Sequence, residues 1–315
     1  MRRYILISAI IILGVLSFLV PQFHWLSNYY QLILMTIGIN IILTLSLNLV
    51  NGFMGEFSVG HAGFMSIGAY VASLSSLHIF PSDFFIVSIL LGGIAAALAG
   101  MVIALLSFRT RGDYLAILTL AFLMIVKSII ENIQSIGGAR GLSGISQLTT
   151  LPWVFFWLVL TLLLMRNLIN SRFGRNILAI REDELVAKLM GVNTRQAKIL
   201  AFAISAFFTG IAGGLYAHLL QFINPAMFNL AKSTDILIMV YLGGAGSLSG
   251  SIIGGTVYTI LMEVLRPLAT WRMVIMPIIL ILLMIFRPSG IMGYKEFPFL
   301  RQHEKAYRHK EAVKA

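Results

Sequence analysis

Apolar runs of about 17–25 residues recur along almost the whole chain, and each is long enough to cross a ~30 Å hydrocarbon core as a helix. Inside a bilayer the backbone N–H and C=O groups find no water, so only helices and closed barrels can span it. The runs are continuous rather than alternating, which selects helices over barrel strands. At 58% hydrophobic and 11% charged residues, with mean hydropathy +0.91, the chain lies far from soluble composition. The expected fold is an all-α integral membrane protein of about ten transmembrane helices, some broken or re-entrant. The absence of cysteine from the sequence excludes disulfides, thiol catalysis and cysteine metal sites.

The runs fall at 1–20, 29–50, within 61–77, and at 84–108, 114–130, 153–169 and 199–219. The first follows Arg2 and Arg3 but ends at Val20-Pro21-Gln22 without a small-residue cleavage site, so it reads as a retained span with the N-terminus inside. Residues 235–266 are apolar but interrupted by GGAGSLSGSIIGG, which permits one crossing or two. Two crossings, 235–246 and 249–265, followed by 273–286, return the basic tail with Lys295, Arg301, Lys305, Arg308 and Lys310 to the inside. On this topology 18 of the 23 Lys and Arg are cytoplasmic, which accounts for the net charge of +11 as a positive-inside signal rather than a nucleic-acid surface. Residues 1–287 then form a single transmembrane domain, and 288–315 a basic cytoplasmic tail.

Residues 171–198 form the one sizeable charged segment between apolar runs, and this topology places them in the cytoplasm. Glu182, Asp183 and Glu184 suit a helix N-terminus, while Lys188 and Gly191 suit its end. Leu185/Leu189 and Val186/Met190 are i,i+4 pairs on one side, and Glu184/Lys188 form an i,i+4 ion pair on the helix. Such an apolar face, with nothing local to cover it, either lies on the bilayer or docks into a groove of a soluble partner.

The richest polar cluster in an apolar context contains Asn48, Asn51, Gly52, Gly55, Glu56, Ser58, Gly60 and His61. Two readings stand: the break lines a cavity on a substrate route, or it is a cytoplasmic turn with Glu56 in water and His61 capping the next helix. The spacing of Gly52, Gly55, Ser58 and Gly63 recurs in Gly243, Gly246, Ser249 and Gly254. The echo is either a repeat with two breaks at similar depth or merely close helix packing through glycine. The glycine-rich segment 137–144, expected outside, is a candidate docking surface for an extracytoplasmic partner or a plain turn. The sequence has no phosphate loop, HExxH or GxSxG, so no catalytic role is expected, and any energy source lies on another subunit.

The stretches 45–70, 109–122, 137–145, 173–193, 201–215, 236–255 and 286–293, taken in order, resemble the membrane-spanning permeases of ATP-binding-cassette importers for branched-chain amino acids, M-type subunit. The resemblance covers nearly the whole chain. It implies that 171–198 is the coupling loop that fits a cleft on an ATPase subunit, with Arg175, Arg181, Glu182, Glu184, Leu185, Ala187, Leu189 and Gly191 in that role. The sequence keeps Ala187-x-x-x-Gly191 but carries Leu185 where the common importer motif has glutamate, Glu184 lying one position earlier. It further implies an H-type permease partner, two ATPase subunits that carry ATP and Mg, a periplasmic binding protein, and a bacterial inner membrane with both termini cytoplasmic. Urea, amide and other amino-acid importers use similar permeases. From a different class, an ATP-independent secondary transporter would have no need of an exposed docking helix.

Overall fold

The computed structural model describes residues 14, 17–19, 27–79, 84–107, 113–287, 289–293 and 296–297. The expected first span, 1–20, lies almost wholly outside them, as does the tail from 298 onward. The described chain is helical, with a single two-stranded ladder. Its long helices are α1 (Asn28–Asn48), α2 (His61–His78), α3 (Phe85–Ser107), α4 (Asp113–Asn132) and α5 (Leu151–Asn170). Two short helices, α6 (Arg172–Glu182) and α7 (Glu184–Leu189), precede α8 (Thr194–Leu220), α9 (Leu230–Gly243), α10 (Leu248–Val264) and α11 (Arg272–Phe286). Among the described residues five helices, α1, α3, α4, α5 and α8, are long and apolar enough to cross a membrane.

Two helices form the middle of the bundle. Of their most apolar stretches, 78% of α1 and 72% of α8 is buried against protein, whereas α3, α4 and α5 leave most of theirs outward, as helices bordering lipid do. Small residues permit the closest approaches around α8. A methyl added at Gly68 of α2 would overlap the Gly210 backbone of α8, so these helices meet backbone to backbone.

The connections sort to two ends of the bundle. At one end the strands β1 (Leu142–Ser143) and β2 (Phe222–Ile223) pair antiparallel, joining the segment before α5 to the segment after α8. Thr149 Oγ1 ties the same segment to α8 by donating to the Leu215 carbonyl at 2.8 Å. The opposite end gathers the break between α1 and α2, the α6–α7 segment, the break between α9 and α10, and the chain after α11. An open apolar groove of about 650 Å³ runs between α2 and α3, lined by Val71, Leu74, Leu91, Ile94 and Leu98.

Candidate functional site

The charged segment folds as a small packed unit rather than a free loop. Ser171 caps α6 by accepting from the Gly174 N–H at 3.2 Å. The expectation of one helix starting at Glu182 is corrected here, because Glu182 closes α6 and Asp183 is extended, with φ −161° and ψ 118°. The Asp183 carboxylate accepts from the N–H groups of Leu185 at 2.8 Å and Val186 at 3.1 Å, so capping α7 outweighs continuing α6. Asn193 caps α8 in the same way, accepting from Gln196. Ile180, Ala187 and Ala197 bury together and join α6, α7 and the start of α8 through a core of their own. Gly191 ends α7 with φ +81°, a conformation that suits glycine.

This packing turns the apolar face of α7 outward. Leu185 and Val186 are more than half exposed, and Leu189 and Met190 are 86% and 80% exposed, while Ala187 on the opposite side is buried. Glu184 does not pair along the helix with Lys188 as expected; it accepts from Lys198 Nζ at 2.9 Å. Lys198, only 5% exposed on α8, also pairs with Glu56, so one buried ammonium is held between two carboxylates. A buried cation demands countercharge, and that demand outcompetes the weak surface pair. Arg175 Nη1 reaches back to the Asn170 carbonyl at the end of α5.

The first glycine break packs directly under this unit. Helix α1 runs into a π turn at Leu49–Phe53, and residues 54–60 follow an irregular, non-helical course before α2 begins at His61. Asn51 staples the break by accepting from the Ser58 N–H at 3.2 Å. His61 is fully buried, and its two nitrogens face Ser58 Oγ at 3.3 Å and Ser205 Oγ at 2.8 Å. Because Ser205 donates its own proton to the Ser46 carbonyl at 2.6 Å, it must accept from His61 Nε2–H, which leaves His61 Nδ1 to accept from Ser58. Thr119 Oγ1 of α4 accepts from the Val59 N–H at 3.0 Å, Ser233 of α9 donates to the Val59 carbonyl, and Gly60 lies against the Thr119 backbone.

The second break meets the first. Asn48 Nδ2 donates to the Ser247 carbonyl at 2.8 Å and to Ser251 Oγ at 2.7 Å, while Asn48 Oδ1 accepts from the Gly246 N–H at 2.8 Å. Gly52 lies against the Gly246 nitrogen with no room for a methyl. The equal spacing of the two glycine sets therefore corresponds to breaks at the same end of the bundle, bolted together by Asn48. Gly243 packs tightly against α10, its Cα side facing the Gly250 backbone. Ser249 is occupied in capping: Glu296 accepts from the N–H groups of Leu248 at 2.7 Å and Ser249 at 3.1 Å and from Ser249 Oγ at 2.5 Å. The chain after α11 thus straps the second break, with Ile291 and Met292 also donating to the carbonyls of Leu242 and Gly243.

The polar candidates of both breaks converge, but on each other and on α6 and α7 rather than on the groove between α2 and α3. Glu56, its side chain 17% exposed, is bound to Lys198 rather than left free in water. Lys198 and Glu296 escaped the sequence reading. Lys198 closes the charged segment in the sequence, three residues after Arg195, so nothing local sets it apart, and nothing local marks Glu296. Of the other charged pairs, Lys127 and Glu131 form an i,i+4 contact at 3.7 Å, and Arg266 and Glu263 pair at 3.0 Å, joined by the Tyr29 hydroxyl.

Residues 29–286 match the sequence family described as the permease component of branched-chain amino acid transport systems. The high-affinity branched-chain amino acid transport system permease protein LivM of Escherichia coli K12 is 33% identical over 289 residues, which cover 81% of this chain and 68% of that protein. LivM of Salmonella typhimurium is 32% identical over the same length and coverage. The corresponding LivH of Salmonella typhimurium is 28% identical over 284 residues, covering 81% of this chain and 91% of its own.

Proposed function

The chain belongs to the family of permease components of branched-chain amino acid transport systems and is of the LivM type, and from this premise we propose its place in an importer. It is a multi-pass membrane permease subunit of an ATP-binding-cassette importer that carries leucine, isoleucine and valine inward. Residues 1–287 form one permease domain of about ten spans in the bacterial inner membrane. The N-terminus, the 171–198 segment and the basic tail from 288 face the cytoplasm. Its partners are an H-type permease, two ATPase subunits that hold ATP and Mg, and a periplasmic binding protein.

The observation that carries this reading is α7. A helix of six residues, capped by Asp183 and packed on α6 and α8 through Ala187, leads into Met190 and presents Leu185, Val186, Leu189 and Met190 to the outside, largely uncovered by the described residues. Rigid presentation of a small apolar ridge suits insertion into a cleft of a soluble partner, because the ordering cost is already met. Closure of the ATPase pair would move this ridge and reorient the permease. The two bolted glycine breaks form the inner rim of the pathway, where freed backbone groups can line a route without facing lipid.

Uptake of radiolabelled leucine and of urea, in cells with and without the gene and with ATP depleted, tests the proposal. Leucine uptake is expected to fall on deletion and on ATP depletion, with urea unaffected. Loss of urea uptake alone would move the substrate class. Leucine uptake that survives ATP depletion but collapses with the proton gradient would overturn the ATP-driven mechanism.

A further inference from the structure

The contacts between the α6–α7 unit and the two glycine breaks assign a second role to that end of the molecule, separate from docking. We propose that Lys198 on α8 and Arg181 on α6 are positioning residues that join the packed α6–α7 unit to both breaks as a strut, so that displacement of this unit is delivered to α1–α2 and α9–α10 together. This rests on the reading of α7 as the ATPase-docking helix and goes beyond it.

Lys198 supplies the first connection. Its ammonium binds Glu184 on α7 at 2.9 Å and Glu56 in the first break, and with 5% exposure it is screened from solvent. Removing Lys198 would leave the Glu56 carboxylate, its side chain 17% exposed, without its countercharge, so this pair holds its geometry more firmly than a surface pair would, while Glu184 at 37% exposure is the more solvated end of the link. Arg181 supplies the second. A methyl built on Gly55 would stand 3.1 Å from Arg181 Cγ, and one on Gly246 2.7 Å from Arg181 Nη1, so this side chain lies across both breaks at once. Gly55 and Gly246 have φ +79° and +84°, which carries the backbone of each break up against it. Asn48 closes the circuit by bonding the breaks to each other.

The path from α7 is therefore contiguous: Glu184, Lys198, Glu56, the first break, Asn48, the second break. Each step is an ion pair, a hydrogen bond or a close packing contact, and the docking side chains Leu185, Val186, Leu189 and Met190 take no part in it. Docking and transmission are thus separable by mutation.

The experiment reconstitutes the full importer in proteoliposomes and measures leucine moved, ATP hydrolysed and ATPase subunits retained on purification. Lys198→Met and Glu56→Gln are each expected to retain the ATPase subunits and their hydrolysis while losing about tenfold in leucine moved per ATP, the scale of a coupling change of one to two kcal/mol. Lys198→Arg, which keeps the charge, is expected to restore the wild-type ratio. Wild-type leucine per ATP in Lys198→Met or Glu56→Gln would overturn the strut, as would loss of the ATPase subunits from both, because Lys198 would then serve docking. Failure of the wild-type complex to couple uptake to ATP would instead overturn the functional reading, and would be seen before any variant is made.

Discussion

Gly52→Ala tests the junction of the two glycine breaks most sharply, because the added methyl has nowhere to go. It would overlap both Asn48 Oδ1 and the Gly246 nitrogen, and the Gly246 position is backbone. The Asn48 side chain must therefore move, and it is fully buried with three hydrogen bonds to the α9–α10 connection and α10. At about 0.6 kcal/mol for a typical interhelical hydrogen bond in a membrane protein, three amount to about 2 kcal/mol. An amide left buried without partners adds about 1–2 kcal/mol, and replacing glycine within a helical turn returns up to about 1 kcal/mol. The expected net destabilisation is about 2–3 kcal/mol. Unfolding of the detergent-solubilised protein by SDS, followed by tryptophan fluorescence, measures it. Asn48→Ala loses the same three bonds, which the double variant Asn48→Ala/Gly52→Ala loses only once, so the double variant should be more stable than the sum of the single losses by about 2 kcal/mol. Stability of Gly52→Ala within about 0.5 kcal/mol of wild type, or strict additivity of the pair, would refute the account of the junction.

Other expectations follow from neighbouring features. Leu189→Asp places a charge on the most exposed residue of the α7 ridge and removes an apolar contact worth about 1.5–3 kcal/mol when buried, so co-purification of the ATPase subunit should be lost while the chain still inserts. Normal co-purification would sink the docking assignment. Glu296→Gln weakens the charge-assisted cap on α10 and should lower SDS resistance by about 1–2 kcal/mol, whereas an unchanged transition would mean that the strap after α11 contributes nothing. A reporter fused after Lys314 should be active only in the cytoplasm; activity outside would put the span count wrong by one.

The helices were legible in the sequence because lipid leaves little choice: a long apolar run must satisfy its own backbone, and α1, α3, α4, α5 and α8 do so close to the expected places. The apolar face of α7 was legible for a similar reason, since i,i+4 spacing fixes which side chains share a side whatever lies beneath them. The kink at Asp183 was missed because capping strength competes with helix continuation, and the balance depends on α6 and α8 packing against α7. Glu184 was assigned to Lys188 because that lysine is near in sequence. Lys198 takes it instead, since a buried ammonium gains more from a carboxylate than a solvated one does.

Local spacing, hydropathy and charge thus determined from sequence alone that the chain is a helical membrane protein with one outward-facing amphipathic helix and two glycine-rich breaks. Tertiary structure decided what the polar residues do. Asn48 finds its partners 198 to 203 positions away and Glu296 finds its own about 47 away. Hydrogen bonds and ion pairs act over a few ångströms and are indifferent to sequence separation, so the role of a buried polar group is set by whichever segment packing brings to it.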